Sequence, residues 1–335
     1  MSFSNNFKYL LLYVLFIWLI YIFLFGNEEL LDSIGIVLKY ESRSVFVIFL
    51  GIILEAFPFI ILGVVFSSII QEFVSEDMIR RLIPKNPITA LFTALFVAIL
   101  TPVCECAIIP VVRRLIQKGV PVHAGTAILV GAPILNFIVF SSTFYAFQGQ
   151  PYIYIGRIVL CIVTVMIVGV VIYLKFSSVN ILRTDKQISA NLKAENRESK
   201  LKSIANHSIN EFFLVGKYFM IGAFFASIAQ IFINRYALAE ATSQSVNGVV
   251  IMMGLAFLLS LCSEADAFVA ASFQQFMSSV SLLAFLVYGP MIDLKNTLVM
   301  IASFKMKFVV YFIALVTIVV FVLSLLSGVY LRFGG

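Results

Sequence analysis

Thr101-Pro-Val-Cys-Glu-Cys-Ala-Ile-Ile-Pro110 decides how the rest of the chain is read. Two cysteines and a glutamate lie between two prolines, directly after the apolar run 91–100. A carboxylate inside apolar sequence is expensive and marks a functional site. Pro102 pushes Thr101 out of the α region, and Pro110 has no amide hydrogen to donate, so a helix starting near Pro87 is expected to break here. At membrane depth a broken helix is tolerated only inside protein or beside a water-filled cavity. That is the setting of a transport site.

Composition supports a membrane reading. Of the 335 residues, 61% are hydrophobic and 12% charged, with mean hydropathy +1.06. Runs of about 20 apolar residues recur, the length that crosses a bilayer as helix. The sequence therefore predicts an all-α polytopic membrane protein. The net charge of +6 does not mark a nucleic-acid binder, because the basic residues cluster between apolar runs as the positive-inside rule requires. The first apolar run, 10–25, follows Lys8 and is followed by Gly26-Asn-Glu-Glu29 rather than a small-residue cleavage site. It reads as a retained helix, not a signal peptide. Cys104, Cys106, Cys161 and Cys262 all lie in apolar segments, so an extracellular disulfide framework is not expected. No Walker motif occurs, so ATP would have to come from a partner.

The expected segments are helix 8–26 with an acidic link (Glu28, Glu29, Asp32), then helix 44–73 with Glu55 and Pro58. A broken segment 87–112, a segment 121–148 containing Gly131-Ala-Pro-Ile-Leu-Asn136 and helix 152–176 follow. A polar, basic stretch 177–208 reads as a solvated linker. Helix 209–233, segments 247–273 and 279–302 and helix 306–332 complete the chain. Three landmarks recur. Gly63-Val-Val-Phe-Ser-Ser-Ile-Ile-Gln is similar to Gly222-Ala-Phe-Phe-Ala-Ser-Ile-Ala-Gln, Cys104-Glu-Cys to Cys262-Ser-Glu-Ala-Asp266, and Pro133-Ile-Leu-Asn136 to Pro290-Met-Ile-Asp293, at offsets of 159, 158 and 157 residues. The organisation read from this is an N-terminal helix and external link over 1–43, a first membrane repeat over 44–176, a cytoplasmic linker over 177–208 and a second repeat over 209–335.

Charge orients the repeats. With Lys8 inside, Arg80, Arg81 and Lys85 also fall inside. If segment 87–112 crossed fully, Arg113, Arg114, Lys118 and the basic linker would all lie outside, against the charge rule. If it dips in and returns, every basic cluster stays inside. The second repeat then starts inside where the first starts outside, so the repeats are inverted. Inverted repeats with broken helices meeting near the midplane are the plan of many secondary transporters.

The candidate site residues follow from this plan. Cys104 and Cys106 would point about 200° apart on a continuous helix, so both face one ligand only if the backbone turns between them. Thiolates select soft ions and thiophilic metalloids, whereas the plain alternative is that these are small buried hydrophobes. Glu105, Glu264 and Asp266 could coordinate a cation or relay protons, or sit at headgroup level. Glu55, three residues before Pro58, is a proton-coupling candidate or a residue of the helix end. Asn136 and Asp293 either close the site or cap a local kink. Lys217 and Lys295 are expected to snorkel to the interface. Cys161 lies in an unbroken helix and is expected only to pack. His123 reads as structural and His207 as solvated.

The Pro-Val-Cys-Glu-Cys…Pro stretch, the Gly-Ala-Pro-Ile-Leu-Asn that follows it and the repeated second half together resemble a bacterial predicted-permease family, the one that includes YraQ and the organoarsenical efflux permease ArsP. The similarity runs from about residue 44 onward. It implies a multi-pass permease of the bacterial plasma membrane, with trivalent organoarsenicals among the family's cargoes, and for some members a smaller membrane subunit as partner.

The expectation is a secondary transporter rather than an enzyme, with no cofactor and with the lipid bilayer as its surroundings. It moves a soft metal ion or thiol-reactive metalloid, with Cys104, Cys106 and Cys262 as soft ligands or metal ligands. Glu105, Glu264, Asp266, Asn136 and Asp293 are further substrate-binding candidates, and Glu55 and Glu264 are the proton-coupling candidates. Two rivals remain. One is a membrane thiol oxidoreductase using Cys104 and Cys106, and the other is a membrane subunit of a larger complex.

Overall fold

The computed structural model describes residues 41–73, 86–101, 104–177, 179–183, 200–232 and 245–334. The expected first helix, its acidic link, Pro102, the cluster Arg80, Arg81 and Lys85, and most of the basic linker lie outside the described residues. Residues 45–335 form one compact unit; 1–44 form another, of which only the first residues of a helix are described.

The described residues fold into helices α1 (Glu41–Phe73), α2 (Pro87–Leu100), α3 (Glu105–Gln117), α4 (Val122–Leu135), α5 (Phe137–Ala146) and α6 (Pro151–Phe176). The second half repeats this order as α7 (Lys200–Phe232), α8 (Ser245–Leu259), α9 (Asp266–Ser272), α10 (Ser279–Met291), α11 (Leu294–Ser303) and α12 (Met306–Gly334). Among these residues six spans are long and apolar enough to cross a membrane: Val45–Phe73, Val122–Ala146, Pro151–Phe176, Glu211–Ile231, Ser279–Ser303 and Met306–Val329. The protein is thus an all-α polytopic membrane protein.

The breaks are built by local chemistry. Asn86 caps α2 by accepting a hydrogen bond from the Ile88 amide at 3.1 Å, and Pro87 fills the first turn where its missing donor costs nothing. α2 ends on Thr101 in extended conformation, and Cys104, also extended, opens α3. Pro110 lies inside α3 and does not form the break; an interior proline leaves only the carbonyl one turn earlier without its helical donor, and the Ser67 hydroxyl of α1 ties this turn to the neighbouring helix by donating to the Pro110 carbonyl at 3.3 Å. Asn136 separates α4 from α5 and caps α5 through Val139 N at 2.8 Å. Asp293 does the same for α11 through Asn296 N at 2.6 Å. The two halves therefore share a cap as well as a sequence landmark. Between α8 and α9 the chain turns at Ser260, whose φ of +49° is a left-handed conformation that non-glycine residues seldom adopt.

Matched helices run antiparallel, which is what inverted repeats require. Along α1 and α7 the pairs are Phe49–Phe224, Phe57–Phe212 and Ser68–Ser208, with numbers rising on one helix as they fall on the other. Along α6 and α12 they are Tyr152–Ser327, Phe176–Phe308 and Lys175–Tyr311.

Segment 87–117 is a hairpin that enters and leaves on one face. α2 runs against α6: Leu91 packs on Gly169 near the end of α6, and Ala98 reaches Gly131 beside Val165 at its middle. α3 then runs along α1: Ala107 lies on Gly63, and Lys118 Nζ donates to the Gln71 carbonyl at 2.6 Å. At 14 residues α2 spans about 21 Å, short of the ~30 Å hydrocarbon core. In the second half, α9 leads back toward the start of α6, where Leu283 of α10 meets Gly156.

The expected linker 177–208 is shortened, because α7 starts at Lys200. Hydropathy reports where lipid contact begins, whereas a helix extends as far as its backbone bonds do; Ser208 Oγ anchors this polar end to Ser68 Oγ at 2.9 Å.

Candidate functional site

One small cavity lies where the two halves meet. It is lined by Ile52, Glu55, Ala56 and Phe59 of α1, Cys104, Glu105 and Cys106 at the first break, Cys262 at the second, and Lys295 of α11. Its free volume of about 10 Å³ is close to the space of a single water. Residues of the first break and Cys262 of the second thus share one small cavity, whose lining surface is mostly apolar.

The backbone turn anticipated between the cysteines is present. Cys104 is extended and Cys106 is the second residue of α3, and both residues line the cavity. All four cysteines are free thiols. Cys262 donates to Glu264 Oε2 at 2.6 Å, which ties Glu264 to the cavity through the thiol. Glu55 is exposed on α1 and reaches the cavity from the side.

Lys295 does not snorkel. It is 4% exposed, with Nζ 2.5 Å from the Ser260 carbonyl, 3.3 Å from Glu105 Oε1 and 3.5 Å from Asp293 Oδ2. The reason is partnership: two buried carboxylates and a carbonyl hold the ammonium more favourably than water can be reached along α11. Lys217, by contrast, is exposed, as expected.

Asp266 turns away from the cavity. Its Oδ2 accepts from Arg157 Nη2 at 2.7 Å, while Nη1 donates to Thr143 Oγ1 at 2.6 Å and Nη2 also faces the Ser263 carbonyl at 3.3 Å. Arg157, 2% exposed, did not figure in the sequence reading, although a lone arginine in an apolar 26-residue helix is a signal of an interior role. It also stands one turn before Cys161, so that cysteine does have a charged neighbour. Asn136 and Asp293 take the capping role, and only Asp293 touches the cavity's polar network, through Lys295. Residues 133–136 do not line the cavity. His123 is buried and packs edge-on against Tyr173; the side chain of His207 lies outside the described residues.

A second ion pair, also unanticipated, joins the halves near the face where α1 ends. Arg114 Nε lies 3.3 Å from Glu211 Oε2, which also accepts from Ser67 at 2.9 Å. Among the described residues no group of three His, Cys, Asp or Glu side chains is arranged to hold a metal ion; Cys104, Cys106 and Cys262 share the cavity.

A family model described as a predicted permease, ArsP_1, matches residues 41–329. The chain belongs to this permease family. The UPF0718 protein YcgR of Bacillus subtilis (strain 168) is 44% identical over 279 residues, covering 83% of this chain and 95% of that protein. A protein of Streptococcus mutans serotype c, described as a putative two-component membrane permease complex subunit, is 34% identical over 283 residues, covering 84% of this chain and 94% of its own length. No solved structure matches the chain. As a member of the ArsP_1 permeases with six apolar spans among its described residues, the protein is a multi-pass permease of a bacterial plasma membrane.

Proposed function

We propose that this permease is a secondary transporter that carries a thiol-reactive metalloid or soft metal ion through the cavity between the two breaks. The observation that carries the reading is convergence: Cys104 and Cys106 from one repeat and Cys262 from the other line one buried space together with Glu105. Two thiols from one break on one cavity, with no three-donor metal group among the described residues, favour a trivalent arsenical bearing one organic substituent, which bonds two sulfurs, over a metal ion that needs three or four ligands. Glu105 and Glu264 supply charge or proton coupling beside the thiols, and Glu55 stands where α1 borders the cavity.

Burial of the thiol pair weighs against an oxidoreductase, whose reactive cysteine must be reached by its partner. A two-protein permease is compatible with transport and is favoured by the description of the Streptococcus mutans relative; a small membrane partner would then co-purify with the full chain.

The test is growth of a deletion strain across a panel of trivalent organoarsenicals and soft metal salts. Cys104→Ser and Cys106→Ser are each expected to abolish the phenotype restored by the wild-type protein, at near-normal abundance in the membrane. Full activity of the double variant sinks the thiol-ligand reading.

A further inference from the structure

Lys295 sits where a cation would be coordinated. Three oxygen groups converge on Nζ: the Ser260 carbonyl, Glu105 Oε1 and Asp293 Oδ2. The carbonyl belongs to the unwound end of the half-length helix α8, and such ends, together with carboxylates, hold small hard cations. Ser260 aims that carbonyl from a left-handed conformation, a costly geometry that persists only where its surroundings fix it. Gln230 Nε2 on the Leu259 carbonyl at 2.6 Å and Leu294 N on Ser260 Oγ at 3.2 Å do so. Asp293 is held independently by Asn296, whose backbone N and Nδ2 donate to its two oxygens. Glu105 is 3% exposed and neither of its carboxylate oxygens has a hydrogen-bond partner; the ammonium beside it is its compensation. Oxygen donors from both repeats are therefore preassembled around a single positive charge, and that charge is on a flexible four-carbon tether.

We propose that Ser260, Glu105 and Asp293 form a site for a small hard monovalent cation, which Lys295 fills as a tethered occupant. When the ammonium is withdrawn, a free cation such as sodium takes its place. The existence of the site stands apart from the cargo assignment above; its use in coupling, by displacement of Lys295 as cargo enters, rests on that reading.

The experiment compares thermal unfolding of the purified full-length chain in sodium chloride and in choline chloride at equal ionic strength and one fixed pH. Choline is too large for this cavity. Wild type and Lys295→Arg keep a tethered cation and are expected to unfold at the same temperature in both salts. Lys295→Gln leaves the oxygen donors without one and is expected to unfold about 2–4 °C higher in sodium, the shift a moderately saturated ligand gives a chain of this size. Should Lys295→Gln not accumulate, the double variant Glu105→Gln, Lys295→Gln keeps Asp293 and the Ser260 carbonyl and is expected to show the same contrast, reduced. Identical unfolding of the glutamine variants in the two salts overturns the proposal. The cysteine variants keep every oxygen donor, so loss of the thiol reading would leave this contrast in place.

Discussion

Three buried ion pairs among the described residues join the two repeats, Arg114–Glu211, Arg157–Asp266 and Lys295–Glu105, and the pairing sets what each substitution does. Arg157 on α6 and Asp266 on α9 are each nearly inaccessible and joined at 2.7 Å. Removing one partner of such a pair strands the other and costs about 3–5 kcal/mol, while removing both together costs far less. Arg157→Leu is therefore expected to lower thermal stability sharply, and Arg157→Leu with Asp266→Leu to recover much of the loss. Additive losses in this double-mutant cycle would show that the two side chains act separately. The sequence revealed the acids but not their partners. Glu105, Glu264 and Asp266 stood out as charges in apolar runs, whereas Lys295 looked like an interfacial lysine because its partner Glu105 is far away in the chain. No local pattern encodes a pairing made only by the fold.

At the scale of elements, the breaks were legible because proline chemistry and the repeat offset both mark them. Their exact chemistry was not. Pro110 fell inside α3, since a helix lined by protein can leave a proline unpaired, while the turn itself came from extended Thr101 and Cys104. The glycine landmark shared by the repeats proves to be a close approach in each. A Cβ on Gly63 would lie 2.5 Å from Ala107 Cβ, and one on Gly222 would lie 2.7 Å from the Lys295 Cα. The first helix of each repeat thus presses its glycine against an element that carries the cavity. Gly222→Ala cannot be absorbed by a side-chain rotation, because the clash is with backbone. It is expected to shift α11, to destabilise by about 1–3 kcal/mol and to impair transport. Gly216→Ala is the control, having open space around it. Equal thermal stability of the two variants would show that α7 does not fix the position of Lys295.

At the scale of the molecule, the antiparallel matched helices and the hairpin α2–α3 agree on one arrangement. The ends of α1, α3 and α6 lie on a single face, where Lys118, Lys175, Arg183 and Lys305 also sit. Arg113 and Arg114, counted among the basic residues that orient the chain, are buried there. The charge argument for the hairpin still holds on the remaining residues, because a fully crossing segment would have separated Lys118 from the end of α1. Two ion pairs then bracket the cavity. Arg114–Glu211 joins α3 to α7 on the basic side, and Arg157–Asp266 joins α6 to α9 toward the opposite side. Both bridges are closed, and the cavity has room for about one water. The positive-inside rule predicts that the basic face is cytoplasmic, and the same rule predicts a cytoplasmic position for the basic stretch that joins the repeats. A single cysteine placed at Ser189, in a protein whose natural cysteines are replaced by serine, is expected to resist an impermeant thiol reagent added to intact cells and to react once the membrane is opened. Labelling in intact cells would invert the protein in the membrane and place the Arg114–Glu211 pair toward the outside.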